Sequence, residues 1–167
     1  MMKEKQLKFD KERKVLLGKP KHGWTEFSLG STKYELSYLT PVPTEWLDQA
    51  IYGMENLIPF VVRGNCEPGR VLCLVSYWNC HVIYEDEENV ALMEDETEWE
   101  FVHLSMLEFC KMLYADIREH IDTWAGWDCF SDQDEDLYKK EIEKKLEKLH
   151  ALIIKRWDAF GKCRAFF

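Results

Sequence analysis

The stretch Trp99–Trp124, WEFVHLSMLEFCKMLYADIREHIDTW, decides how this chain is read. Ser105 and Glu108 stand at the S-x-x-E spacing of a capping box. There the serine hydroxyl accepts from the Glu108 backbone N–H, and the glutamate reaches back to the serine N–H. Leu104 and Phe109 flank the box at hydrophobic-staple positions. A helix is predicted to start near Met106. Its apolar face runs through Met106, Cys110, Leu113, Ile117, Ile121 and Trp124, and Gly126 is the expected stop. Ahead of the box, Trp99, Phe101 and His103 alternate with Glu98, Glu100 and Val102, the pattern of a half-buried strand. The acids are expected on its outer face.

Downstream, a second long helix is predicted from about Asp132 to Phe160. Ile142, Leu146, Leu149, Ile153, Trp157 and Phe160 form its stripe, acids crowd its first turn, and Gly161 sits where a helix commonly stops. Upstream, the run Arg70 to Tyr84 is β-rich and broken near Asn79. Val90 to Met93 is a possible further strand. Phe60 to Arg63 is a short strand, and Gly64 to Gly69 a turn. Pro43 suits the first turn of a helix whose face is Leu47, Ile51, Met54 and Ile58, ended by Pro59. Trp24 to Thr40 reads as a hairpin turning at Gly30-Ser31, and residues 5 to 17 as another. The fold class is therefore α+β: a mostly antiparallel sheet with one mid-chain helix and two long C-terminal helices packed against it. Residues 1 to 167 are expected to form one domain, with 1 to 22 as a basic arm or hairpin.

The chain has 167 residues, of which 46% are hydrophobic and 14% aromatic, so a globular core is expected rather than disorder. No run of about 18 apolar residues exists to span a membrane, and Val15-Leu16-Leu17 is too short for a signal-peptide core. A cytoplasmic location is expected. Six cysteines without a C-x-x-C pair fit reduced thiols. Cys66, Cys73 and Cys80 recur every seven residues. Odd spacing along a strand sends neighbours to opposite faces, so they are not expected to converge on a metal.

Charge is uneven. The net value is −9, but residues 1 to 22 carry eight Lys/Arg against three Asp/Glu, a net +5, leaving −14 on the remainder. Such a body repels nucleic-acid phosphates and attracts basic surfaces. The densest acidic run is Glu85, Asp86, Glu87, Glu88, Glu94, Asp95, Glu96, Glu98 and Glu100, with no Lys or Arg among residues 85 to 100. It reads either as a solvated surface or as a docking patch for a basic partner. Trp124 and Trp127 bracket Ala125-Gly126 in a loop, where they could anchor such a partner or cap the core. The other five tryptophans are expected in the core.

Other candidates have weaker patterns. Asp132, Asp134, Asp136 and Glu143 imitate a calcium loop, but Leu137 stands where the sharp turn needs glycine, so an acidic helix start is the better reading. His81 and His103 lie on expected strands and could approach each other. Nucleotide, hydrolase and dinucleotide motifs are absent. No catalytic residue, metal or cofactor is assigned.

The order VLCLVSYW (71–78), HVIYEDEENVALM (81–93) and WEFVHLSMLEFCKML (99–113) resembles the C-terminal half of SUKH (SMI1/KNR4-like) proteins. In that superfamily, strands with acidic turns lead into a helix opening on S-x-x-E-F, here Ser105 to Phe109. The resemblance spans residues 71–113. The N-terminal half departs from it: two hairpins stand where the family has a helical pair with an L-P phrase. Many SUKH members are bacterial immunity proteins, so the resemblance implies a protein that binds and neutralises a toxin.

The functional expectation is a non-enzymatic acidic protein that binds a basic, toxin-like protein, with no nucleic-acid or membrane partner, as a monomer or weak homo-oligomer. Its contacts would be the acids of residues 85 to 100 with Trp124 and Trp127. One alternative is a small-ligand binder or enzyme with a site in the sheet–helix cleft, using His81, His103 and nearby acids. The other is a self-associating module docked through its basic arm.

Overall fold

The computed structural model describes residues 14–86, 98–127 and 134–164. The capping box forms as its spacing requires. Ser105 is extended (φ −72°, ψ 156°), its Oγ accepts from the Glu108 N–H at 3.1 Å, and Glu108 Oε2 accepts from the Ser105 N–H at 3.0 Å. Helix α2, Met106–Glu119, follows and buries Met106, Phe109, Cys110, Leu113 and Ile117 completely. The expected continuation to Trp124 is interrupted at His120 (φ −118°, ψ 34°), and a short helix α3, Ile121–Ala125, restarts there. The His120 carbonyl accepts from Thr123 and Trp124, opening the new turn. The apolar spacing persists through this break, so periodicity alone does not reveal it.

Chain order supplies the rest. Strands β1 (Trp24–Leu29) and β2 (Thr32–Ser37) form an antiparallel hairpin, with Gly30 at φ +75° in its two-residue loop. Helix α1 spans Val42–Asn56, and Leu57 closes it in a left-handed conformation. Strands β3 (Phe60–Asn65), β4 (Arg70–Val75), β5 (Cys80–Glu85) and β6 (Glu98–Val102) make a second sheet, antiparallel throughout in the order β3-β4-β5-β6. The last helix, α4, spans Glu135–Arg164. It runs through Gly161, which does not terminate it. Both sheets are antiparallel and the helices pack on them, so the fold is α+β as expected, with the strands divided between two sheets.

Helix α1 lies against β3, α2 brings Phe109 onto Phe60 of the same strand at 5.7 Å, and α4 packs against both helices. Trp46 of α1 is fully buried between Phe27, at 5.3 Å edge-on, and Phe109, at 6.3 Å stacked. Its indole N–H donates to the Arg63 carbonyl at 2.7 Å, so the polar tip of this large side chain is satisfied inside the core. Arg156 of α4 donates to the Met54 and Glu55 carbonyls at 3.0 and 2.7 Å, occupying acceptors that the end of α1 leaves without helical partners.

The N-terminal segment is anchored from residue 16 onward. The backbone N–H groups of Leu16 and Leu17 donate to Oδ2 of Asp116 at 2.6 and 2.9 Å, and that carboxylate is 1% exposed. Leu17 bridges Phe27, and Gly18 donates to the Glu26 carbonyl. The C-terminal part of the expected hairpin over 5 to 17 thus pairs with β1 instead, while residues 5 to 13 lie outside the described residues. So do the possible strand Val90–Met93 and Asp132. Of the calcium-like acids, Asp134 accepts from the Asp136 and Leu137 N–H groups at 2.8 and 3.4 Å, the behaviour of a residue opening a helix. Among the described residues, no helix is long and apolar enough to cross a membrane.

Candidate functional site

Strands alternate their side chains, and here both alternating sets are largely apolar. Phe60, Val62, Val71, Cys73, Val75, Cys80 and Val82 point inward and are buried. The other set points away from the helices. The register aligns it in rows: Val61, Leu74, His81 and Phe101 in one, and Arg63, Leu72, Ile83 and Trp99 in the next. This outer face is exposed: Trp99 is 68% accessible, Phe101 46%, Val61 43% and Leu74 38%.

The β5–β6 half of the face is aromatic. His81 meets Trp99 and Phe101 edge-on, with centroids 5.9 and 5.0 Å away, and Phe101 meets His103 at 5.2 Å. Edge-to-face contacts of this kind hold rings in fixed orientations. His103 Nδ1 lies 3.0 Å from Asn79 Oδ1. Two arginines stand on the same face, each ion-paired: Arg63 with Glu45 at 2.7 Å and Arg70 with Glu85 at 2.5 Å. These exposed pairs contribute at most about 1 kcal/mol each. Covering a large apolar side chain is worth about 1.5–3 kcal/mol, so the energetic potential of the face lies in Trp99, Phe101 and their aliphatic neighbours.

The structure separates the residues expected to bind a partner. Glu85 is held by Arg70. Asp86 is half-buried. Glu98 is exposed on β6. Glu100 turns toward the β1–β2 loop, accepting from Ser31 N–H at 2.9 Å and from Ser31 Oγ at 3.1 Å. A Cβ on Gly30 would stand 2.6 Å from that carboxylate. Glu87, Glu88, Glu94, Asp95 and Glu96 lie outside the described residues.

Trp124 and Trp127 are not surface anchors. They are 0% and 1% exposed, with ring centroids 5.1 Å apart. The Trp127 N–H donates to the Thr40 carbonyl at 2.8 Å. Helix α3 folds both indoles inward, where their area contributes to the core.

Trp99 and Phe101 were expected inside with Glu98 and Glu100 outside; the faces are reversed. Glu100 is only half-buried on that side and bonded to the Ser31 N–H and Oγ, so its carboxylate is not buried without a partner. A signal for this was present. Val71, Cys73 and Val75 alternate with Leu72 and Leu74, so β4 is apolar on both faces. Such a sheet needs a second covering layer or leaves one face open.

Chemistry elsewhere is limited. His81 and His103 flank Phe101 on the outer face and do not enter the sheet–helix cleft. Among the described residues, no carboxylate bonds the His81 ring, so the arrangement of a base oriented by a third group is not formed there. Cys73 and Cys80 both face the core, contrary to the expectation from their spacing. The turn between β4 and β5 resets the alternation, and the Cys80 thiol donates to the Leu104 carbonyl at 3.6 Å. The neighbouring Cys80 thiol and burial raise the Cys73 pKa, burial raises that of Cys110, and burial pushes Cys66 up to about 11. These protonated thiols are poor nucleophiles and poor ligands. Among the described residues, no three His, Cys, Asp or Glu side chains are placed to hold a metal ion. An open depression of about 370 Å³ lies between Pro20–Gly23 and Thr123, Gly126 and Trp127. It holds none of the histidines or acids singled out above.

No family model, curated protein or solved structure matches the chain.

Proposed function

We propose that this is a non-enzymatic protein-binding protein that engages a basic partner through the outer face of its four-stranded sheet. The observation that carries the reading is the exposure of Trp99 and Phe101 beside His81, Ile83, Leu72, Leu74 and Val61 on one continuous surface. Apolar patches of this type on soluble proteins mark interaction sites, and tryptophan is enriched among residues that dominate binding energy. The strands β5 and β6 that carry the aromatic half are joined through the acidic run. The chain carries a net charge of −9, and a negatively charged protein favours a positively charged partner and speeds its encounter.

The most specific form of this reading is an immunity or antitoxin protein that masks a basic toxin. It rests on the resemblance of residues 71–113 to SUKH proteins, and that segment builds three of the four strands of the face together with the start of α2.

The test is affinity capture from a lysate of the cells that make the protein, using wild-type bait and a Trp99→Ala/Phe101→Ala bait in parallel. A basic protein held by wild type at low salt, released at high salt and lost from the double variant is the expected result. Equal capture by both baits would remove the face from the account.

A further inference from the structure

Among the described residues, strand β6 is the outermost strand of its sheet. It pairs with β5 from Cys80↔Val102 to Tyr84↔Glu98 and, among the described residues, with no other strand. An antiparallel strand turns the N–H and C=O groups of alternate residues away from its partner, so β6 presents main-chain donors and acceptors along its free side. Edge strands are usually guarded by proline, lysine or a bulge. Glu98-Trp99-Glu100-Phe101-Val102 contains no proline or lysine, and its register with β5 is unbroken.

The guard on β6 is charge of one sign. Glu98 and Glu100 share the inner side of the strand, while Trp99 and Phe101 share the outer side. If two copies paired antiparallel about Glu100, that carboxylate would oppose its own symmetry mate, and like charges directly opposite destabilise a strand pair. A strand with Lys or Arg on the inner side would meet opposite charge there. Its alternate apolar residues would lie beside Trp99 and Phe101, extending the exposed apolar rows by one strand. Among ways of covering this edge, the charge pattern disfavours a second copy and favours a basic, alternating segment.

We infer that β6 is a strand-addition site: the basic partner contributes an extended segment, alternating Lys or Arg with apolar residues, that joins the sheet as a fifth strand. This rests on the reading that the protein binds a basic partner, and adds the mode of binding. Main-chain hydrogen bonds supply affinity in such additions, and alternate side chains supply specificity.

The test uses the full chain and three probes: a capped peptide of about ten residues alternating Lys and Val, the same peptide with Glu for Lys, and the Lys/Val peptide N-methylated throughout. Amide hydrogen exchange and NMR shifts at residues 98–102 are the readouts. The Lys/Val peptide should slow exchange there by about tenfold or more at saturation, and the other two should not. If the N-methylated peptide binds equally well and shifts Trp99 and Phe101, strand addition is wrong while a basic-partner face survives. Equal binding by the Glu peptide, or no binding by any of the three, overturns the inference. In the last case the capture experiment with the Trp99/Phe101 variant still decides the partner reading independently. Concentration-dependent protection of residues 98–102 without peptide would assign the edge to a second copy and also overturn it.

Discussion

The two faces of the four-stranded sheet are built from similar side chains and meet different fates. The inner face carries Phe60, Val62, Val71, Val75 and Val82 under helices α1 and α2, every one of them buried. The outer face carries Val61, Leu72, Leu74, Ile83, Trp99 and Phe101, and its most aromatic residue is its most exposed. The difference lies in what the chain supplies to cover each face, not in hydrophobicity. Helices α1 and α2 enter the inner side with their own apolar stripes, and the β1–β2 hairpin stacks Tyr34 on Tyr84 at 5.5 Å on that side. One face therefore stabilises the fold, and the other stands exposed.

This contrast makes graded predictions. The largest effect belongs to the inner side. Trp46→Ala empties the centre between Phe27 and Phe109 and leaves the Arg63 carbonyl without its indole donor. It should cost about 3–5 kcal/mol in urea unfolding; a loss near 1 kcal/mol would mean that the core is not packed around this ring. Next comes Asp116→Ala, which removes the buried acceptor of the Leu16 and Leu17 N–H groups. It should cost about 3 kcal/mol and speed amide exchange at those two residues. Unchanged exchange there would show that the N-terminal segment is not held by this carboxylate. Ser105→Ala removes half of the capping box, and a loss of about 1 kcal/mol is expected, with a lower thermal midpoint as the check. Helix content unchanged at an unchanged midpoint would show that the box is not needed to start α2.

What was legible in the sequence follows the range of the interactions. The capping box, the Gly30-Ser31 hairpin and the Pro43 helix start depend on residues a few positions apart, and each formed where its local pattern placed it. The α+β class followed from the order of these elements. Decisions that depend on distant contacts were not legible. Which side of β6 faces inward follows from its pairing with β5, and Glu100 on that side meets Ser31 across 69 positions. For Trp124 and Trp127 the sequence left a partner anchor and a core cap both open, and the bend at His120, a residue with no breaker chemistry, accompanies the burial of both indoles. Cys73 and Cys80 share a face because a turn resets strand parity between them. In the candidate site, the acidic character of residues 85–100 was readable, whereas the apolar outer face of the sheet was hidden by an inverted assignment of inside and outside.

An outer face that serves as the proposed binding surface should contribute little to stability. The most direct measurement is the unfolding free energy of the Trp99→Ala/Phe101→Ala variant in urea. The double variant should lie within about 1 kcal/mol of wild type, since both side chains are already in water and lose only modest cross-strand contacts with His81. A loss of about 4 kcal/mol or more, the scale of emptying a buried aromatic site, would mean that this face is covered within the chain itself, and would contradict the account.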